Sequence, residues 1–298
     1  MVGCVCNVGL SNTGRPNCVP LFSVVSSFIV LPLKDQQGNL NGIDLNAALP
    51  NWESLINEVD PSRRWFPLPP FENVELPKAD SQFEEANSGR MAFLRQGKRS
   101  FSGELWAEDS TPTFLGKLES YRCVDFGVFI VDINGNLIGS RVGGFLRPIP
   151  IDNASWDPRF MFATDSTIQK IMLGFDFDRL FHESTMYLIS PEEAAQNFND
   201  LSGLIDVNFT EITSTLSSVQ FNADLVYGTA LNPLKYIGAT NLADWELKVN
   251  GLSIGSPLSV TEAPDGTYIL TFAAQLSGDV LSVEVAKIGY DGEFETTL

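Results

Sequence analysis

The twenty residues CVDFGVFIVDINGNLIGSRV, Cys123 to Val142, contain two spacings that other proteins use for chemistry. Asp125-Phe126-Gly127 is the triplet that places a Mg²⁺-binding aspartate in protein kinases, and Asp132-x-Asn134-x-Asn136 begins like a calcium loop. Phosphoryl transfer also needs a glycine-rich phosphate cover, a strand lysine and an H-R-D loop, because one carboxylate cannot both hold the metal and orient a nucleophile. The single histidine, His182, is followed by Glu183-Ser184, so the chain has no H-R-D. A calcium loop opening at Asp132 needs glycine at its sixth place and a bidentate glutamate at its twelfth, where Leu137 and Gly143 stand.

Other chemistry is equally short of parts. A nucleophilic triad needs a positioned imidazole, and His182 lies in Phe181-His182-Glu183 beside an apolar stretch, where a turn or packing role accounts for it. Asp176 and Asp178 in GFDFD are the best-spaced carboxylate pair for glycoside hydrolysis. Their alternation with Phe175 and Phe177 reads more simply as the polar face of an amphipathic strand. No phosphate-binding loop, dinucleotide fingerprint or zinc-protease helix occurs. The four cysteines, Cys4, Cys6, Cys18 and Cys123, lack the paired C-x₂₋₄-C spacing of zinc sites and read as free thiols. These absences predict a protein with no catalytic, cofactor or metal site.

What Cys123–Val142 does predict is a hairpin. Asn134-Gly135 supplies the two positive-φ residues of a type I′ turn. Val124, Phe126, Val128 and Ile130 point to one side and Phe129, Val131 and Ile133 to the other, so both faces of the strand require cover.

The rest of the chain reads as further strands with a few short helices. A first strand over Leu21–Leu33 is followed by a polar turn from Lys34 to Gly42, and a helix is expected over Asn51–Val59, stopped by Pro61. Trp65-Phe-Pro-Leu-Pro-Pro70 is too rich in proline for a central strand and is expected to be an extended arm or surface loop. Strands follow at Phe71–Leu76, Arg90–Arg95 and Lys98–Trp106. Thr111-Pro112 then opens a capped helix to Tyr121, with Phe114, Leu115, Leu118 and Tyr121 on one face. Strands over Ile168–Phe177 and Met186–Ile189 precede a second capped helix at Ser190–Phe198. Short strands with turn signals after Leu231 carry the signature of a small sandwich, which places a boundary near residue 230. At about 70 residues that module is small, and borrowing a strand from upstream would complete it.

Charge bounds the partners. The chain of 298 residues has a net charge of −18, with 16 Lys+Arg and 21 Asp+Glu in residues 1–180 against 3 and 16 in residues 181–298. So acidic a surface is a poor ligand for nucleic acid and suits a surface that repels it. Leu21–Leu33 is broken by serines and is too short to span a bilayer, and the N-terminus lacks a basic region before an apolar one, so neither membrane insertion nor a secretory signal is expected. The one basic concentration, Arg90, Arg95, Lys98 and Arg99, could serve nucleic acid, but the acidity of the rest of the chain favours carboxylates of a neighbouring subunit as its partners.

The segment Phe71 to Ser140, a series of strands with one helix and a two-sided hairpin, followed by a sandwich-like module, resembles the tail tube (major tail) proteins of tailed bacteriophages. The opening GLSNTGRPNCVPLFSVVSSFIVLPL is similar to the N-termini of virion proteins from phages of Bacteroidota. The resemblance implies a mainly β fold: a tube-forming sandwich or barrel over residues 1–230 with one or two short packing helices, and an immunoglobulin-like module over 231–298. It implies a structural virion protein, assembled in the host cytoplasm into hexameric rings stacked head to tail. Its partners would be itself and other tail or neck proteins, and DNA would pass through without specific binding. Arms and hairpins would clasp the neighbouring ring. Besides the four basic residues, Phe126, Val128, Ile130, Asn134 and Gly135 are the expected subunit contacts. A head-to-tail connector or neck ring would share this composition. A carbohydrate-binding adhesin would expose Trp65, Trp106, Trp156 or Trp245 as sugar platforms, and a hydrolase would lose its activity on Asp176→Asn.

Overall fold

The computed structural model describes residues 21–85, 87–229 and 231–298. Cys4, Cys6 and Cys18 lie outside the described residues. The fold is mainly β, built as sandwiches with short helices packed on them.

The strand Phe126–Asp132 lies at the centre of an eight-stranded sheet, and every residue in it is buried. Its two faces feed separate cores, as the alternation requires. Phe126, Val128 and Ile130 join Phe28, Val30, Phe101, Trp156 and Phe175 on one side. Phe129 and Val131 join Ile29, Leu31, Trp52, Trp65 and Phe198 on the other. The first core is closed by a four-stranded sheet whose middle strands are Ser100–Trp106 and Lys170–Asp176, and the second by short helical segments. The strand Val25–Pro32 pairs antiparallel with Phe126–Asp132, Phe28 facing Ile130, and contributes to both cores for the same reason.

Three α-helices are described. Helix α1 spans Trp52–Ile56, shorter than expected, because Asn57 already leaves the helical line. Helix α2 spans Pro112–Ser120 with the Thr111 hydroxyl accepting the Phe114 N–H, which is the anticipated cap. It is anchored where the Trp156 indole N–H donates to the Leu118 carbonyl at 2.7 Å. Helix α3 covers only Pro191–Ala194: Ser190 and Glu193 form the reciprocal capping box, but Ala195 turns left-handed at φ 52° and ends it.

Trp65–Pro70 is neither arm nor loop. Phe66–Pro67 pairs at the edge of the first strand, with Trp65 buried in one core and Leu68 in the other, so the prolines sit where the sheet needs no donor.

The second module starts earlier than residue 231. Strands Ile205–Thr215 and Ser218–Thr229 pair with each other and with Thr267–Thr271, and their Val207, Val219, Phe221 and Ala223 share one core with Trp245, Leu247, Tyr268 and Val283. The core lies between that sheet and a four-stranded one through Trp245–Val249 and Val280–Val285. The module therefore begins near Ile205, and the strands it was expected to borrow are its own.

A local repeat controls two of the turns. Asp35–Gly42 and Asp132–Gly139 share the pattern D-x-x-G-N-L-x-G. In both, one aspartate oxygen accepts the N–H groups two and four residues on, and the other accepts the asparagine side-chain amide. In both, the glycine N–H returns to the aspartate carbonyl at 2.9 Å. The turn is thus a three-residue loop with Gly135 at φ 77°, and Asn134 is not among the positive-φ residues. The expected type I′ geometry is lost because Asp132 captures the amides of Asn134 and Asn136. It occurs instead at Asn250-Gly251, with φ of 50° and 78°.

Candidate functional site

The residues singled out for chemistry take structural positions. Phe126 and Gly127 of the kinase-like triplet are buried at the start of the central strand, and Asp125 accepts from the Asn153 side chain at 3.0 Å. Asp132 is fully buried and accepts from Ser23, Asn134 and Asn136 backbone N–H groups and from the Asn136 amide, at 2.8 to 3.1 Å. A carboxylate saturated by N–H donors organises the turn and has no free lone pairs aimed at a cation. His182 is exposed, and its carbonyl, not its ring, bonds to Thr185. Asp178 caps the Leu180 N–H at 2.6 Å while Asp176 faces Lys98 and Ser100, so the two carboxylates have separate partners. Among the described residues no group of three or more His, Cys, Asp or Glu converges on one point.

The basic cluster divides in two. Lys98 Nζ contacts Asp176 at 2.6 Å and Asp152 at 3.4 Å, and Arg99 Nε contacts Glu183 at 2.7 Å, with Lys78 on the other oxygen at 2.9 Å. These carboxylates belong to the same chain, which corrects the expectation that Lys98 and Arg99 reach a neighbour. Burial raises the Asp176 and Glu183 carboxyls, but the bonds from Lys98 and Ser100 to the first, and from Arg99 and Lys78 to the second, outweigh it and hold both below the usual range. Arg90 and Arg95 stay exposed: Arg95 donates to Gln82, and Arg90 has no ion-pair partner among the described residues.

The apolar contact candidates divide the same way. Phe126, Val128 and Ile130 are at most 5% exposed inside their own protomer, so they hold its core and offer a neighbour no surface. Gly135 is buried against Asn197, and only Asn134 of that pair is exposed. Trp65, Trp156 and Trp245 are buried, which leaves Trp106 as the one proposed sugar platform open to solvent.

A surface that chemistry-bearing motifs do not mark is the most distinctive one. Among the described residues, strand Gln82–Glu85 pairs only with Met91–Arg95, and every residue of both is exposed. Phe83 lies opposite Phe93 and Glu85 opposite Met91, so Phe83, Phe93 and Met91 share one face, each more than half exposed. The two phenyl rings meet edge to face at 5.7 Å. A two-stranded ribbon is marginal in water by itself, and an uncovered aromatic face marks an interaction site. The alternation in Arg90-Met-Ala-Phe-Leu-Arg95 predicts a strand but not that its apolar face is bare, because that depends on which strands fail to pair with it.

An open cleft of about 630 Å³ separates the modules, walled by Phe66–Pro70, by Phe114, Lys117 and Tyr121 of α2, and by Leu201–Asp206. Two ion pairs bridge its ends, Lys117–Asp206 at 2.7 Å and Arg64–Asp291 at 2.5 Å. Burial pushes the Tyr121 hydroxyl well above its ordinary value, with the nearby Asp206 charge adding to it. No family model matches the chain, and no curated protein is similar to it.

Proposed function

We propose that this chain is a structural protein that assembles with copies of itself, as a virion protein of the tail-tube type forming stacked rings around a channel. The bare aromatic face of hairpin 82–95 carries this reading. Its strands continue the ribbon made by Glu72–Glu75 and Ser100–Trp106, through backbone bonds from Ala79 to Lys98 and from Ser100 to Pro77, past the end of the four-stranded sheet. A ribbon projecting an apolar face beyond its own domain suits a contact between molecules. Covering it would also remove the hazard of two exposed edges.

The charge pattern supports a conduit for DNA over a DNA-binding role. Residues 205–298 carry 12 Asp+Glu against 3 Lys+Arg. On the outer face of the sheet through Trp245–Val249, Glu246, Glu284, Glu293 and Glu295 surround Lys248. Such a face repels phosphate.

The test is negative-stain electron microscopy of the purified chain across a series of protein and salt concentrations. Rings or tubes with a central channel are expected. A particle that stays monomeric at every concentration would overturn the reading.

A further inference from the structure

We infer that the cleft between the two modules is a binding site for an organic cation, an ammonium or guanidinium group on an apolar body, with Asp109 as its counter-ion. The inference is independent of the assembly reading above. At about 630 Å³ the cleft has the size of a small-molecule site, and its walls are chiefly apolar, with the rings of Phe66, Phe114, Tyr121 and Tyr227 among them. Asp109 lines the same space.

The charges inside the cleft single out Asp109. Among the described residues the lining cations are Lys117 and Arg64, and each is already held by a carboxylate of the second module, Asp206 at 2.7 Å and Asp291 at 2.5 Å. Asp109 is half-buried and has neither an ion pair nor a hydrogen bond among the described residues. The first turn of α2 does not use it, since the Thr111 hydroxyl accepts the Phe114 N–H there. Burial, with the neighbouring Glu108 charge adding to it, pushes the Asp109 carboxyl up, and a cation in the cleft would offset that cost.

The walls select the kind of cation. Further along α2 the protein already holds one of its own in this way: Lys117 Nζ is paired with Asp206 and lies 5.4 Å from the centre of the Tyr227 ring. Phe114 precedes Lys117 by three residues and so shares its face of α2, toward the end of the helix that Asp109 precedes. Asp109 with Phe114 thus offers an incoming cation the same combination of carboxylate and ring. Because Asp206 is engaged by Lys117, the site takes one positive charge and not two. A hydrated metal ion gains nothing from apolar walls, whereas an apolar body removes them from water.

The site is testable by nuclear magnetic resonance titration of the isotope-labelled full-length chain with benzamidine, with its uncharged isostere benzamide, and with the blocked tripeptide acetyl-Pro-Arg-Pro-amide. Benzamidine is expected to shift the backbone amides of Ser120, Gly203 and Ile205, which line the cleft. Benzamide, and benzamidine with the Asp109→Asn chain, should each bind at least about tenfold more weakly. Glu119→Gln, an exposed position on α2 outside the cleft, should leave the affinity unchanged. Tighter binding of the tripeptide than of benzamidine would assign the cation to a polypeptide side chain, and the reverse to a free amine. Equal binding of benzamidine and benzamide, an unchanged affinity in Asp109→Asn, or no shift of the cleft amides with either cation would overturn the inference.

Discussion

Lys98 Nζ sits 2.6 Å from Asp176 Oδ2, so the cation that stands out in the basic cluster is neutralised inside its own fold. The bond joins Lys98, two residues before the strand Ser100–Trp106, to Asp176 at the end of Lys170–Asp176, and Ser100 donates to the other oxygen of Asp176 at 2.6 Å. It closes the four-stranded sheet at the end where the hairpin departs.

Asp176→Asn should lower stability by about 1 kcal/mol, since Lys98 is partly exposed and screened by solvent. The folded carboxyl is held below its ordinary value, so its contribution is present above the unfolded pKa near 4 and is lost as the pH falls through the folded value. The Lys98 ammonium is held above its ordinary value, chiefly by its bond to Asp176, so its share is present below the unfolded pKa and is lost only as the pH rises through the folded one. Thermal denaturation from pH 2 to 7 should show a shallower acid loss in the variant. An unchanged slope would show that the pair contributes nothing.

The two D-x-x-G-N turns should differ in cost. Asp132→Ala leaves the amides of Ser23, Asn134 and Asn136 without their acceptor in a buried site and should destabilise by about 3 kcal/mol. The Asp35→Ala change removes the same bonds at an exposed turn, where water replaces them, and should cost less. Urea denaturation of both variants measures the difference, and equal losses would refute the role assigned to burial.

Phe93→Asp and Phe126→Ala should separate assembly from folding. Phe93 is exposed, so its replacement should leave the monomer's melting temperature nearly unchanged and abolish particles. Phe126 packs edge to face on Trp156 at 5.1 Å in the core, and truncating it should cost about 3–5 kcal/mol. Loss of stability in the first variant, or none in the second, would reverse the assignment of surface and core.

Residues 205–298 should fold as an isolated fragment, because among the described residues their core uses no side chain from the first module. Circular dichroism should show one cooperative transition. In the intact chain, protease should cut first between Leu201 and Leu204, and faster at high salt, where the Lys117–Asp206 and Arg64–Asp291 pairs are screened. An unfolded fragment would place part of its core in the first module.

The sequence by itself determined the features that depend on neighbours along the chain. Alternation made Phe126–Asp132 apolar on both sides, and the Thr111-Pro112 and Ser190-Pro191-Glu192-Glu193 signals start their helices where expected, since a cap needs only its own next residues. Tertiary structure decided which of those signals prevailed. Ile205–Thr229 joined the second module because strand pairing is a long-range choice. Lys98 and Arg99 found carboxylates at positions 152, 176 and 183, distances along the chain that no motif encodes. The hairpin's bare face has the same origin: Phe83, Met91 and Phe93 look like any strand's apolar side, and they are exposed because, among the described residues, no other strand pairs there.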